Sequence, residues 1–85
     1  MNLDEQVIAD RQAELTAWLS EEAAGFPGCS VEHYTEGGKY GYAWKVYLKD
    51  VQMGVIILTT EATFPEDKIR GLFRVELRQI LGQPA

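Results

Sequence analysis

The chain has very few of the residues that staple a small domain or hold a metal in it. It contains one cysteine (Cys29), one histidine (His33) and three prolines among 85 residues. A single cysteine excludes an intrachain disulfide, and one cysteine with one histidine falls well short of the usual four zinc ligands. We recognise neither a secretory leader nor an apolar run of about 18 residues, so we expect a cytoplasmic protein with no cofactor and no membrane span.

Residues with chemical potential do not form a recognisable catalytic or nucleotide-binding motif. Cys29 and His33 fall on the same side of a predicted strand, but no local motif supplies the oxyanion site that a thiol nucleophile needs. Gly37, Gly38 and Gly41 lack the strand-to-helix setting of a phosphate-binding loop and instead indicate a hairpin turn. We therefore expect that the protein is not an enzyme.

The net charge of −5 conceals a segregation of charge along the chain. Residues 1–36 hold eight acidic residues against Arg11 alone and carry a net charge of −7, whereas residues 37–85 carry +2. This asymmetry either polarises the surface and steers a charged partner, or reflects acidic and basic elements that lie side by side in the fold. We favour the second interpretation.

Helical periodicity occurs at both ends of the chain. Apolar residues of the segment 2–24 share one helical stripe, and a Gly-Phe-Pro-Gly turn follows it. The segment 63–81 has a second stripe, in which Thr63 and Glu66 have the spacing of a capping box and Pro65 falls in the first turn. Each segment is predicted to form a helix.

Strand periodicity fills the middle of the chain. Residues 31–35 predict a short strand, residues 40–49 alternate large apolar residues with others, and residues 53–60 include an unbroken Val-Ile-Ile-Leu run. The sequence therefore predicts one α+β domain, 1–85, in which two helices pack on one face of a three-stranded antiparallel sheet. A domain this small buries only about 60% of its unfolded surface, so we expect marginal stability or support from self-association.

A sheet with both helices on one face leaves its other face open. Alternate residues of the second strand face away from the helices, together with two branched apolar residues of the third, either those at 56 and 58 or those at 55 and 57. The predicted partner-binding residues are Lys45, Tyr47, Lys49, Ile56 and Leu58. A homodimer and a different protein partner both fit this pattern, as does a bulge or a wrapping first helix that covers the face.

Arg11 and Glu76 interrupt the apolar stripes of the two helices. An unpaired buried carboxylate is costly, so we predict a salt bridge between them at the seam of the helices. Exposure of Glu76 at the edge of its stripe is one alternative. A functional acid is the other, although no second carboxylate accompanies it.

The second helix carries three arginines at intervals of four residues: Arg70, Arg74 and Arg78. This ridge either pairs with the acidic flank of the first helix, stays solvated, or binds an anionic ligand or acidic partner. We favour the pairing with the first helix.

The order helix, three antiparallel strands, helix resembles that of double-stranded RNA-binding domains over most of the chain. That family places a lysine cluster at the start of its last helix, where residues 63–68 read Thr-Phe-Pro-Glu-Asp-Lys here. Two acids thus occupy the phosphate position, and the helix that reaches a minor groove in that family is acidic in this chain. The resemblance implies the order of elements and no binding residue.

We expect a small acidic protein-binding module, such as an inhibitor, a chaperone or an adaptor, that acts through the open sheet face or the polarised surface. A mimic of nucleic-acid charge also fits its acidity. The alternative is a nucleic-acid-binding module, since lysines interleaved with tyrosines can grip a single strand. Its residues would be Lys39, Lys45, Lys49, Tyr40, Tyr42 and Tyr47. The net negative charge opposes this alternative, so we do not expect a nucleic-acid partner.

Overall fold

The computed structural model describes residues 3–36 and 41–82 of the chain. Its elements are α1 (Leu3–Ala23), β1 (Cys29–His33), β2 (Ala43–Leu48), β3 (Val51–Ile57), a short 3₁₀ helix (Thr60–Thr63) and α2 (Glu66–Leu81). The strands form one antiparallel sheet in the order β1-β2-β3. The predicted α+β class and order of elements are confirmed.

The core lies between the sheet and the two helices, which pack on the same face. Trp44 is at its centre: the indole ring packs edge-on against Phe73 with 5.6 Å between ring centroids, and its N–H donates to Thr16 Oγ1 at 2.8 Å. The largest fully buried side chains come from both helices and from the sheet: Leu15, Leu19, Trp44, Val46, Ile56, Ile69, Phe73 and Leu77. The apolar stripes read from the sequence therefore meet in one core.

A two-residue turn joins β2 to β3. Lys49 and Asp50 have φ angles of 51° and 68°. Both central residues therefore lie in the left-handed region, as in the two-residue turns whose twist matches that of the paired strands. β3 consequently begins at Val51, two residues before the start of the predicted third strand. Of the hairpin turn predicted at Gly37, Gly38 and Gly41, residues 37 and 38 lie outside the described residues.

The start of α2 differs from the capping box predicted at Thr63. Thr63 lies in the 3₁₀ helix, where its Oγ1 donates to the carbonyl of Thr60 at 2.8 Å, and α2 begins at Glu66 after an extended Pro65. The reason is steric, because the proline ring disfavours helical backbone at the residue before it and Phe64 is extended, with φ −70° and ψ 155°. At the other end Gly82, with φ 64°, ends the helix as predicted.

Candidate functional site

The sheet face opposite the helices is the candidate site, and we call it the outer face. Strand pairing places Glu32, Lys45 and Val55 in one row across the sheet, Ser30, Tyr47 and Gln52 in the next, and Ala43 with Ile57 in a third. Tyr34, whose N–H donates to the Ala43 carbonyl at 2.9 Å, extends that third row. The outer face thus consists of Ser30, Glu32, Tyr34, Ala43, Lys45, Tyr47, Gln52, Val55 and Ile57, of which Ala43 is fully buried.

Two of the predicted binding residues lie on the opposite face. Ile56 is 1% exposed and Leu58 is 5% exposed, and both belong to the core. The reason is the register, because Ile56 pairs with Trp44 and so points to the helices. Val55 and Ile57 take the outward positions instead, and Ile57 is 52% exposed. The prediction for Ile56 and Leu58 is therefore wrong.

Lys45 and Tyr47 lie on the outer face, whereas Lys49 is exposed in the turn at its end. The Lys45 ammonium sits over the ring of Tyr34, 4.8 Å from its centroid, which holds the long side chain against the sheet. Sequence reasoning missed Tyr34, because its place follows only from the pairing of β1 with β2. Together these side chains make an apolar surface with one fixed positive charge and the Glu32 carboxylate beside it.

The arginine ridge is largely engaged within the fold. Arg70 pairs with Glu21, with Glu22 at 3.0 Å and with Glu66 at 2.8 Å, and these carboxylates, Glu21 foremost, raise its pKa. Arg74 pairs with Glu22 at 2.8 Å. Acidic α1 and basic α2 therefore face each other, which is the favoured explanation of the charge segregation. In the part of the chain that is described, Arg78 is exposed and makes no ion pair.

Arg11 does not contact Glu76. Its guanidinium donates to the carbonyls of Ala62, at 2.8 Å, and Phe64, at 2.7 Å, and pairs with Glu14. The same group lies 5.1 Å from the ring centroid of Trp18. The predicted seam salt bridge is wrong, because Arg11 instead donates to two carbonyls at the end of the 3₁₀ segment. Glu76 is only partly buried, so its carboxylate does not need a buried partner.

Arg11 and Glu76 are expected to act independently on stability. Arg11→Met keeps the aliphatic stem but removes the donors to two carbonyls, so we expect a loss of about 1 to 3 kcal/mol in the free energy of unfolding. Glu76→Gln is expected to change it by less than about 0.5 kcal/mol. Urea titration of both variants and of the double variant should give additive effects, whereas a coupling energy above about 1 kcal/mol would mean that the two side chains do interact.

An open groove of about 1040 Å³ lies between the 3₁₀ segment and the first turns of α1. The sequence analysis did not predict it. Its lining is Val7, Ile8, Arg11, Tyr42, Thr59, Thr60, Ala62, Thr63, Phe64 and Pro65. Beside this groove, the Glu61 carboxylate accepts hydrogen bonds from the N–H and the hydroxyl of Thr59. Its own backbone N–H first, and then these two groups, lower the pKa of Glu61. The groove follows from the break in helix at Pro65, which no periodicity signals.

Cys29 and His33 do not form a reactive pair. The Nε2 of His33 is 2.7 Å from the carbonyl of Gly41, to which its N–H donates, and the imidazole lies on Trp44 with 5.9 Å between centroids. Burial raises the pKa of the Cys29 thiol, which opposes formation of a nucleophilic thiolate. Over residues 3–36 and 41–82 no three His, Cys, Asp or Glu side chains are grouped so as to hold a metal ion.

The lysines and tyrosines of the nucleic-acid alternative do not share one surface. Tyr42 is 8% exposed and belongs to the core, whereas Lys45 and Tyr47 lie on the outer face. Lys39 and Tyr40 fall outside the described residues. An aromatic platform for stacked bases needs exposed rings in succession, and among the described residues β2 offers only Tyr47.

Neither α1 nor α2, the two α-helices within the described ranges, has the length and apolar character needed to cross a bilayer. Comparison of the chain with protein-family models, with curated proteins and with solved structures gave no match.

Proposed function

We propose that this chain is a non-catalytic protein-binding module, of the inhibitor, chaperone or adaptor type, that contacts its partner through the outer face. The observation that carries the proposal is the exposure of Ile57, which is 52% exposed beside Val55 on a face that neither helix covers. A second apolar layer on that face would bury these side chains, which is favourable by about 25 cal/mol for each Å² of apolar area.

The composition of the outer face suits a protein partner. Its aromatic and aliphatic side chains, Tyr47, Val55 and Ile57, lie around Lys45 on the central strand, whose charge is opposite to that of the adjacent Glu32. Protein interfaces are enriched in aromatic residues, which contribute much of the binding energy. A chain of net charge −5 has no electrostatic attraction to a polyanion, so the proposed partner is a protein rather than a nucleic acid.

The proposal includes the cytoplasm as the compartment of action. It rests on Cys29, which is a free thiol in this chain, since free cysteines persist more readily in a reducing compartment. We do not propose catalysis, because Cys29 and His33 form no reactive pair and Arg70 and Arg74 are engaged with carboxylates of α1.

Tyr47→Glu is expected to abolish partner binding without unfolding the domain. Tyr47 is only partly buried in the isolated chain, so a carboxylate there reaches solvent, whereas a bound partner would desolvate it. Immobilised wild type should capture a protein from a lysate that Tyr47→Glu does not capture. The matched control is Ala13→Glu, which adds the same charge at an exposed position of α1 and should retain the partner.

Circular dichroism must first show that both variants are folded. Capture that Tyr47→Glu leaves intact, or that Ala13→Glu abolishes equally, would reject the outer face as the binding surface. Titration with single-stranded and double-stranded DNA and RNA tests the alternative, for which we expect no dissociation constant below about 10⁻⁴ M at physiological salt. Micromolar binding that Lys45→Glu weakens would favour the nucleic-acid alternative.

A further inference from the structure

β3 is an edge strand whose outward backbone groups are identifiable. The N–H of Leu58 donates to the carbonyl of Tyr42 at 2.8 Å, so the polar groups of Leu58 point toward β2. Successive residues of an antiparallel strand direct these groups to opposite edges. The N–H and C=O groups of Val55 and Ile57 therefore point away from β2, to the edge that no described strand occupies.

This edge lacks the usual protection against strand pairing. No charged residue and no proline occurs from position 51 to position 60. Val51 is 61% exposed, Met53 44% and Ile57 52%, which are three of the six most exposed large apolar side chains among the described residues. Soluble proteins commonly shield an edge strand with lysine, proline or a covering element. The one such device in β3 is the bulge at Met53, which leaves the residues after it regular.

The distribution of charge indicates a second copy of this chain as the occupant of the edge. Acidic α1 contacts β1 and α2, whereas α2 contacts β2 and β3, so α1 lies on the side of the molecule away from β3. Two copies joined at β3 keep their acidic helices apart. Joining them at β1 would bring the acidic helices together and add Glu32 to the contact. Identical uncharged strands also create no like-charge pair when they meet.

We infer that two copies pair β3 antiparallel with β3, around a two-fold axis at Ile56. In this register Val55 lies opposite Ile57 of the second copy, so the free N–H and C=O groups of both residues find partners. The branched side chains of these pairs meet on the outer face, and Leu58 lies opposite Gly54, which has no side chain to obstruct it. The three strands of each copy become one six-stranded sheet.

The helix layer is compatible with this arrangement. α2 lies over both β2 and β3, since Phe73 packs on Trp44 and Ile80 lies against Gly54. Its Arg70 side faces α1, so helical spacing directs Leu72 toward the open edge. With strands about 4.8 Å apart, the axes of the two copies of α2 lie about 10 Å apart, which is the usual distance between the axes of packed helices.

The pairing leaves the outer faces free and contiguous, so the inference goes beyond the proposed function and can fail separately from it. Sedimentation equilibrium of the whole chain should give twice the monomer mass of 9.6 kDa. Ile57→Lys, at an exposed edge position, should halve that mass, and Tyr47→Lys, on the same face but on the central strand, should leave it unchanged. Circular dichroism verifies that both variants are folded.

Either of two results overturns the inference: a wild type that stays monomeric up to about 1 mM, or a dimer that Ile57→Lys leaves intact. A dimer that only Tyr47→Lys dissociates would mean that copies associate face to face, which also overturns it. If Tyr47→Glu abolishes partner capture but the wild type forms no β3 contact, the dimer is rejected and the proposed function is retained.

A crosslink tests the register itself. In a Cys29→Ser background, Val55→Cys combined with Ile57→Cys places the cysteines opposite each other between copies, at about 5.5 Å between Cα atoms, within disulfide range. Val55→Cys alone leaves its two copies roughly 9 Å apart, which is too far. Mild oxidation should therefore give a dimer on a non-reducing gel for the double variant and a monomer for the single one. Equal crosslinking of both, or of neither, would reject the register.

Discussion

Replacing Trp44 by alanine is expected to lower the free energy of unfolding by about 3 to 5 kcal/mol, measured by urea titration followed by circular dichroism. The side chain is fully buried on the central strand and touches Phe73 and His33. Its loss leaves a cavity that neighbours on two helices and a sheet cannot all close. Because small domains have only about 5 to 15 kcal/mol in total, we expect partial unfolding at room temperature.

Thr16→Val is the control that separates the cavity from the hydrogen bond. It keeps the indole in place and removes the hydroxyl that accepts the Trp44 N–H and donates to the Gln12 carbonyl, so the expected loss is about 1 to 3 kcal/mol. A loss below about 1 kcal/mol for Trp44→Ala would place this residue outside the core, and the sheet would then present its opposite face to the helices.

Phe73→Ala is expected to destabilise the protein by a similar amount, about 3 to 5 kcal/mol. Phe73 is fully buried on α2 and meets the Trp44 ring edge-on, at 76° between ring planes. The matched control is Val75→Ala on the same helix, where the side chain is 46% exposed and the change should stay within about 0.5 kcal/mol.

The two aromatic substitutions are also expected to be coupled. An edge-to-face pair contributes about 0.5 to 1.5 kcal/mol beyond its buried area, so a double-mutant cycle between Trp44 and Phe73 should give a coupling energy in that range. Strict additivity would show that the rings do not touch. Equal effects of Phe73→Ala and Val75→Ala would contradict the orientation of α2.

The candidate site was predictable in location but not in its third-strand residues. Alternation in β2 identifies Lys45 and Tyr47 as outward, because one face of that strand is plainly more apolar than the other. The Val-Ile-Ile-Leu run of β3 has no such contrast, so either face can be turned inward. Pairing of Ile56 with Trp44 decides the matter, and it depends on the two-residue turn and on the bulge at Met53.

Charged residues show the same division between sequence and structure. Spacing correctly indicated that arginines of α2 face acids of α1, because residues four apart lie on one side of a helix. The partner of Arg11 was not predictable in this way. It is set by the carbonyls of Ala62 and Phe64, which are available because the chain is extended at Phe64 and Pro65, between the 3₁₀ helix and α2.

The sequence by itself determined the class of fold, the order of the elements and the existence of an open sheet face. These depend on local periodicity, which places apolar residues on one side of a helix or strand whatever the rest of the chain does. Only the tertiary structure decided that Val55 and Ile57 face outward, that Arg11 holds the 3₁₀ segment, and that α2 rather than acidic α1 packs on the uncharged strand β3. Those features depend on register, turn geometry and packing between distant segments, which the local periodicity of the sequence does not specify.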